Sequence, residues 1–521
     1  MNSRYISGAR CGASRRTFLK GAAAGVALAG SAAAPLRAQG ARGGTLRIGF
    51  ADAGTADSLD PRTGADTLMS QCLSGAVRNN LTVVDKNQTL RPELAEHFES
   101  SDGAKVWRFD LRKDVEFHNG KTLTAEDVAA SINLHRGETQ SSAAALFETV
   151  ESIETDRDGL TIRLSVGSAD LPYFLSTYQL SIHPSEDGAA QWRDGVGTAG
   201  YVLETFSPGE RASVSRNPNY WKSDAAFVDA CELLALADPV ARTTALLTDT
   251  VDVIDSVPVD LVSRLEAAPG VRIGEVTGTR HFTLPMHCDV APFDEVDVRL
   301  ALKYAFPREE MLEKILFGHG ALGNDSPIAP ANQFYHAEMT QRLYDPDRAR
   351  HHLRKAGREG LKVQLHAADA AFPDAVDTAV LFQAAAKEAG IEIEVVREPN
   401  DGYWSDVWLK KPFCTAFWSG RPTEDWMFTQ AYSTGAKWND SRWNNARFNA
   451  LLLEARIETD TERRRGLYHE MQEIVRDDGG VIIPVFANYV FGLRDRVSTN
   501  GPVSGSRGLD GARVCERWSF A

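Results

Sequence analysis

Residues 400–443 hold six of the ten tryptophans of the chain, with a positively charged side chain among them. The six are Trp404, Trp408, Trp418, Trp426, Trp438 and Trp443. Aromatic rings offer large apolar contact areas with few torsions to freeze, and they line many ligand pockets. Arg421 lies between Trp418 and Trp426, and its planar guanidinium suits a carboxylate or a phosphate. The stretch therefore predicts the binding of a small molecule that carries an anionic group.

Each of these features has a structural alternative. Tryptophans also fill hydrophobic cores, so we expect only two or three of the six to face a ligand. Arg421 has acidic neighbours at Glu424 and Asp425, and an ion pair with either of them would simply brace the loop. The sequence leaves this choice open.

The chain lacks the residue patterns of several catalytic and metal sites. Gly120-Lys121-Thr122 resembles the end of a phosphate-binding loop, but Val115 stands where the first glycine is required. No HExxH zinc motif and no GxSxG nucleophile motif occurs. Asp345-Pro346-Asp347 has the pattern of a helix start and not of a calcium loop. These patterns therefore identify no catalytic residues, no cofactor site and no metal ligands.

The elements that must position a binding site are clearest in residues 91–132. Asp102-Gly103 indicates a turn, and Asn119-Gly120 indicates a hairpin turn, because both of these residue types can take positive φ. Between them, apolar and charged residues alternate as in a half-buried strand. The apolar positions are Trp107, Phe109 and Leu111. Thr124, three residues before Asp127, predicts a helix start close to a capping box.

In this order and wording, the stretch resembles the signature of the family 5 solute-binding proteins of ABC transporters. That family includes dipeptide, oligopeptide and nickel binding proteins. The resemblance implies a protein that binds cargo and passes it to a membrane permease, and that is not an enzyme. Three more segments resemble landmarks of the same family, namely 58–61 (SLDP), 197–201 (GTAGY) and 216–221 (RNPNYW). The resemblance covers nearly all of the chain beyond its first 38 residues.

The resemblance implies an α/β, two-lobed periplasmic binding protein fold, of class II and of the large type with three subdomains. Lobe I is expected to comprise residues 44–275, with a subdomain near 76–190, and to be completed by 486–521. Lobe II is expected to comprise residues 280–484. Two chain crossings, near 274–284 and at the apolar run 481–486, would form the hinge, with the ligand in the cleft between the lobes.

The resemblance also points to site residues. In the family, an aspartate that pairs with a peptide's N-terminal ammonium lies three residues after the position of Trp418. Arg421 holds that place here, and the reversed charge implies an anionic group instead of an amine. Residues after the SLDP turn tend to approach cargo, which suggests Asp66 and Thr67, although Asp66 would also serve as a helix cap.

Further candidates come from the family's layout around the tryptophan-rich stretch. Trp418 and Trp426 flank the arginine, and Tyr403 and Trp404 are expected to form an aromatic wall. Asn439 is a weaker candidate for a contact with the cargo.

The second half of the chain alternates strands and helices, as in parallel sheets joined by crossovers. Asp345-Pro346 predicts a helix that ends at Gly357, and Gly390 closes another over residues 378–389. Each of these helices is followed by an alternating strand, at 361–365 and at 391–395. Two helices are predicted further on, at 445–457 and 461–476.

The N-terminus reads as an export signal. Residues 14–20 (SRRTFLK) resemble the twin-arginine motif, and an Ala/Gly-rich run and a small-residue cleavage site at Ala38 follow. We expect residues 1–38 to be removed in the periplasm, with the general export route as an alternative. A membrane anchor is disfavoured, because the apolar run is shorter than the ~20 residues that a membrane span needs.

The acidic composition of the chain limits the binding partners that we expect. The formal net charge of −14 disfavours nucleic acid and anionic lipid surfaces. Five cysteines follow residue 38, and we expect most of them to be small buried apolar residues, with any disulfide pairing left open. The function expected is that of a monomeric periplasmic component of an ABC importer, which passes its cargo to permease subunits in the inner membrane. Peptides, opine-like or other carboxylated solutes and metal chelates remain open as cargo, and an exported hydrolase acting on peptides or conjugates is the alternative function.

Overall fold

The computed structural model describes residues 42–63 and 66–521. The predicted export signal lies outside these residues. Within them, no helix is both long enough and apolar enough to cross a membrane.

A ten-stranded mixed sheet runs through the molecule. Its main path follows Tyr201–Ser207, Arg211–Arg216, Ala230–Ala235, Thr45–Phe50, Val253–Ile254, Val485–Arg494, Val271–Pro285 and Ala416–Trp418. Two short strands join it at the side, Gly320–Leu322 on Val485–Arg494 and Val481–Ile482 on Val271–Pro285. The strand Thr45–Phe50 is parallel to both of its neighbours, and its inner face is fully buried.

Two long strands of this sheet carry the chain between the regions proposed as lobe I and lobe II. We call Val271–Pro285 the first crossing strand and Val485–Arg494 the second crossing strand. They pair in antiparallel fashion from Val271 opposite Arg494 to Thr277 opposite Asn488, and the register shifts before His281 meets Phe486. Both expected crossings therefore fall on paired strands and not on loose linkers.

A separate four-stranded antiparallel sheet lies within residues 95–164. Its order is Ala95–Ser101, Val106–Leu111, Gly159–Leu164 and Val150–Thr155. The helix Ala125–Asn133 begins with the predicted capping box, since Asp127 Oδ2 accepts from the Thr124 backbone N–H at 2.9 Å. Small two-stranded ribbons accompany this part and the C-terminus. They are Thr82–Val84 with Leu90–Pro92, Ser185–Glu186 with Ala189–Ala190, and Val497–Ser498 with Ser519–Phe520.

In the second half, Lys362–Ala367 pairs in parallel with Glu392–Arg397, as the strand–helix–strand pattern predicts. The helix between them is Ala375–Ala386, and the preceding helix Pro346–Ala356 is capped by Asp345 and ends at Gly357, whose φ is +64°. Helices Ala446–Ile457 and Thr461–Asp478 match the two predicted further on. The other helices are Thr67–Ser70, Leu171–Phe174, Pro239–Leu247, Val262–Glu266, Val296–Tyr304, Arg308–Lys314, Tyr403–Asp406, Glu424–Ala431, Gly508–Ala512 and Val514–Arg517.

The hairpin turn predicted at Asn119-Gly120 forms, with Glu116 bridged to Thr122 in antiparallel fashion, but it is wider than a two-residue turn. At Asn119-Gly120 only Gly120 takes positive φ, and the Phe117 N–H donates to Lys121 O at 2.8 Å, so three residues close the turn. The Asn119 side chain accepts from the Lys121 N–H and stabilises this wider turn. After the SLDP turn, an α-helical turn at Thr67–Ser70 widens into a π-helix at Gln71–Val77, which the sequence does not predict.

The buried side chains form separate hydrophobic clusters. Two of them lie wholly within residues 282–487, one is built from residues 81–182, and one combines 46–77 with 201–233 and 491–518. These groupings support the proposed division into two lobes and a subdomain, and we keep the names lobe I and lobe II for it.

Candidate functional site

A cavity of about 1010 Å³ lies between the two proposed lobes. Ligand pockets typically measure roughly 300–1,000 Å³, so this one has room for a cargo of peptide size. Its walls come from three places. Lobe I contributes segments 176–179 and 255–259, lobe II contributes 417–430, and the two crossing strands supply 279–282 and 487–491.

Arg421 lines this cavity on the lobe II side. Its Nε donates to Gln430 Oε1, and its Nη1 donates to Gly420 O at 2.6 Å and to Ser419 Oγ at 3.3 Å. Throughout residues 42–63 and 66–521 it makes no ion pair, and Nη2 has no hydrogen-bond partner. Burial lowers the pKa of Arg421 to about 10, which leaves the guanidinium protonated at neutral pH.

The acidic neighbours of Arg421 are engaged elsewhere. Glu424 Oε1 accepts from the Phe334 backbone N–H at 2.6 Å, and Asp425 pairs with Arg456 at 3.1 Å. The alternative in which Arg421 braces its loop through Glu424 or Asp425 is therefore wrong. Gln430 takes that bracing role with a neutral oxygen, so the positive charge stays uncompensated.

Two tryptophans support the guanidinium. Its carbon atom lies 5.5 Å from the ring centre of Trp418 and 5.8 Å from that of Trp426, within the range of cation–π attraction. Trp426 lines the cavity, whereas Trp418 is buried behind Arg421, where its Nε1 donates to Asp440 Oδ2 at 3.4 Å. Trp438 packs against Trp418 and also lines the cavity.

Several predicted site residues lie away from the cavity. Tyr403 is 1% exposed in the core of lobe II, where its hydroxyl donates to Thr415 O at 2.7 Å. Asn439 is also buried, and its amide donates to Ser433 O and Trp443 O. Trp404 is 41% exposed and packs edge-on against Phe417, outside the cavity walls. The aromatic wall expected from Tyr403 and Trp404 is therefore absent from the described cavity.

Asp66 and Thr67, which follow the SLDP turn, have different roles: one caps a helix and the other lines the cavity. Asp66 is the N-cap of the helix Thr67–Ser70 and accepts from the Met69 N–H at 2.8 Å. It therefore has the alternative role expected for it, that of a helix cap. Burial, together with a hydrogen bond to Asp57, raises the pKa of Asp66. Thr67 does line the cavity.

Sequence reasoning missed Arg280, which lines the cavity from the first crossing strand. Its guanidinium lies 5.4 Å from the ring centre of Phe282 and 5.8 Å from that of Phe417. The signal that was available is alternation, because Arg280 and Phe282 share one face of a strand expected to cross between the lobes. Arg507, which stands 4.5 Å over the ring of Tyr178, is a further cation of the cavity wall.

The described cavity contains no arrangement that would hold a metal. No group of three or more His, Cys, Asp or Glu side chains in the described part of the chain is placed to bind an ion. The five cysteines after residue 38 are free thiols, and four of them are buried. The cavity wall combines aromatic rings with arginine side chains.

Comparison with known proteins identifies the family. The profile of "Bacterial extracellular solute-binding proteins, family 5 Middle" matches residues 89–440, about two thirds of the chain. The chain belongs to this family. The match confirms the family that was predicted from residues 91–132. Family 5 proteins are the solute-binding components of ABC importers.

Curated family 5 relatives differ in what they are named for. Heme-binding protein A of Haemophilus influenzae is 28% identical over 54% of this chain, and the match spans 57% of that relative's length. The probable D,D-dipeptide-binding periplasmic protein DdpA of Escherichia coli is 24% identical, over 79% of this chain and 82% of its own. The chain thus spans little more than half of one of these relatives.

Solved structures show the family 5 fold. HbpA2 from Haemophilus parasuis superposes with a TM-score of 0.79 at 22% identity, and covers 92% of this chain and all of its own. The binding protein AgaA of A. tumefaciens R10, solved with agropinic acid, gives a TM-score of 0.71 at 22% identity, over 92% of this chain and 99% of its own. The α/β periplasmic binding protein fold predicted from the sequence is therefore confirmed.

Proposed function

We propose that this protein is the periplasmic substrate-binding component of an ABC importer, and that its cargo is a peptide or other small solute with a carboxylate group. The single observation that carries the proposal is Arg421. It lines the cavity between the proposed lobes, is protonated at neutral pH, and has no ion-pair partner in the described residues.

A half-buried cation without an anionic partner is costly, and a cargo carboxylate would relieve that cost. The bonds to Gln430 and Gly420 fix the orientation of the guanidinium before cargo arrives. Nη2 remains as a donor toward the cavity. A charge-assisted hydrogen bond contributes roughly 1.5–3 kcal/mol, which corresponds to about one to two decades in affinity.

Arg421 also argues against one common mode of peptide binding. A peptide's N-terminal ammonium would be repelled where an aspartate would attract it. The acidic groups of the cavity lie elsewhere, at Asp52, Asp255 and Asp374. Carboxylated solutes such as opines, as well as peptides oriented with a carboxylate toward Arg421, therefore fit this cavity better than amines do.

Delivery follows from lobe movement. The cavity is enclosed by both proposed lobes and by the strands that join them, so cargo would enter and leave by opening about these strands. The closed form would present cargo to permease subunits in the inner membrane. We assign no turnover to the protein, which acts by binding alone as a monomer.

The test is a thermal-shift screen of carboxylated small molecules and short peptides, followed by calorimetry on Arg421→Gln. A ligand that binds the folded state raises its melting temperature by mass action. We expect Arg421→Gln to weaken the best ligand about ten- to a hundredfold. Arg442→Gln is the matched control, because Arg442 is an exposed arginine of the same region that pairs with Asp289. Equal affinities of the wild type and Arg421→Gln would remove the assigned role of the arginine.

A further inference from the structure

We propose that Arg280 is a second anion-binding residue of this cavity, so that the cargo carries two carboxylates close together. The inference rests on the proposed function and narrows the class of solute. It arises from the way that two neighbouring strands place two arginines around one serine.

Strand register sets the relation between the two arginines. The first crossing strand pairs with Ala416–Trp418 so that His281 lies opposite Trp418 and Phe282 opposite Phe417. Continued by one residue, the register places Ser419 opposite Arg280, and Thr279 Oγ1 donates to Ser419 O at 3.2 Å. Residues directly opposite in such a pair have Cβ atoms about 4.5–5.5 Å apart on one face.

The same serine contacts the other arginine. Arg421 Nη1 donates to Ser419 Oγ at 3.3 Å. Gly420, with φ of +74°, turns the chain between them, so that Arg421 reaches back toward the strand pair. Arg280 and Arg421 therefore flank Ser419 at one end of the cavity.

Arg280 has no compensating group. It makes no ion pair and donates no hydrogen bond within the described part of the chain, and its buried Nε has no partner. Glu275, an acidic residue of the same strand, accepts from His319 and Asn488 instead. Two aromatic rings hold the guanidinium in place, which is an arrangement that positions the charge without neutralising it.

Hydrogen-bonding capacity favours two carboxylates over one. A guanidinium has five N–H donors, and all five of Arg280 lack a partner in the described residues, while Arg421 keeps those of Nη2. One carboxylate accepts about four hydrogen bonds, fewer than the two arginines offer together. A second carboxylate would use the remaining donors and offset the second charge.

The experiment compares dicarboxylates with matched monoamides. The probes are glutarate, N-acetylglutamate and N-acetyl-phenylalanyl-glutamate, each paired with the derivative in which a side-chain or terminal carboxylate is a carboxamide. Calorimetry on the wild type should show that the dicarboxylate of each pair binds about tenfold more tightly than its monoamide. With Arg280→Gln, the two members should bind with similar affinity.

Two further variants make the outcome specific. Arg280→Lys keeps the charge but not the fork of donors, and should retain part of the preference. Arg272 lies on the same strand but is exposed outside the cavity. The variant Arg272→Gln should therefore retain the whole preference for the dicarboxylate. Circular dichroism on each variant checks that it folds.

Two results would overturn the inference. One is an unchanged preference in Arg280→Gln, and the other is amide members that bind the wild type at least as tightly as the dicarboxylates. If other solutes of the thermal-shift screen bind while these dicarboxylates do not, this inference fails and the proposed function stands. If no solute of the wider screen stabilises the wild type, both fail.

Discussion

At the scale of single residues, the charges next to Arg421 show how burial sets protonation. Glu424, three residues after Arg421, is almost completely buried, and its Oε1 accepts from the Phe334 N–H. Burial raises the pKa of Glu424 to about 7, despite the attraction of Arg464. The folded protein therefore binds a proton at this site more tightly than the unfolded chain does.

This predicts a pH-dependent effect of Glu424→Gln. A raised pKa in the folded state gives stability that is fully present below about pH 4.5 and is lost as the pH rises through about 7. The amide keeps the acceptor for Phe334 and removes the charge. We expect Glu424→Gln to become more stable than the wild type as the pH rises from 5 to 8, by an amount on the order of 3 kcal/mol.

Urea denaturation at several pH values measures the difference. Glu359→Gln is the control, since Glu359 is exposed and its substitution makes the same change of side chain without touching a buried carboxyl. A Glu424→Gln curve parallel to that of the wild type would contradict the assignment.

The site shows what single-sequence reasoning reaches and what it does not. Arg421 and Trp426 stood out because a charge lay among aromatic residues, and both line the cavity. Tyr403 and Asn439 had suitable chemistry, yet their polar groups satisfy backbone atoms in the core. Whether a polar side chain turns inward or toward a cavity depends on long-range packing, which sequence spacing alone does not encode.

At the scale of elements, the turn after the strand Ala416–Trp418 decides where Arg421 lies. Gly420 has φ of +74°, and a Cβ added there would come within 2.2 Å of Thr279 Cβ. Both the backbone conformation and the close approach to the first crossing strand require glycine.

We expect Gly420→Ala to destabilise the fold by a few kcal/mol and to weaken cargo binding, because the turn must shift away from Thr279. Gly435→Ala separates the two causes, since Gly435 has a φ of +77° but open space around its Cβ position. That control should cost about 1 kcal/mol and leave affinity unchanged. Denaturation and calorimetry on both variants give the comparison, and equal losses in the two would argue against the contact with Thr279.

Elements with local signals were the most predictable part of the fold. The helices Pro346–Ala356 and Ala446–Ile457 begin at side-chain caps, and both were placed within a residue of their bounds. The π-helix Gln71–Val77 was missed because its cause is distant. Gln71 donates to Gly508 O and Leu509 O, and the backbone of Ala512 packs directly on Gly75. The sequence around residue 71 carries no sign of that C-terminal segment.

At the scale of the whole molecule, the two proposed lobes also touch through side chains and backbone groups that do not belong to the crossing strands. Arg464 of lobe II pairs with Asp170 of lobe I at 2.6 Å, and both side chains are almost completely buried. Beside them, the Ala169 N–H donates to Arg456 O at 2.8 Å and the Tyr173 hydroxyl donates to Gln333 at 2.7 Å. This group of contacts would hold the closed arrangement.

Breaking the ion pair should therefore favour opening. Removing one partner of a buried pair costs about 3–5 kcal/mol, because the other charge is left without compensation. We expect Asp170→Asn to increase the radius of gyration of the cargo-free protein in small-angle X-ray scattering. Weaker cargo binding should accompany this change.

Arg463→Gln serves as the control, since Arg463 is the neighbouring residue on the same helix, is exposed, and pairs with Glu454 and Glu458 within lobe II. It should change neither quantity. A radius unaffected by Asp170→Asn would mean that the contacts do not govern closure.

Trp426 touches both proposed lobes. Its ring meets Phe174 edge-on at 5.6 Å across the lobe boundary, and the Arg421 guanidinium lies 5.8 Å from its ring centre. Indole emission responds to both polarity and nearby charge, so opening of the lobes or arrival of an anion should alter the fluorescence of this one ring. The protein thus carries its own optical probe, and subtracting the spectrum of Trp426→Phe would isolate its signal in a stopped-flow experiment without any attached dye.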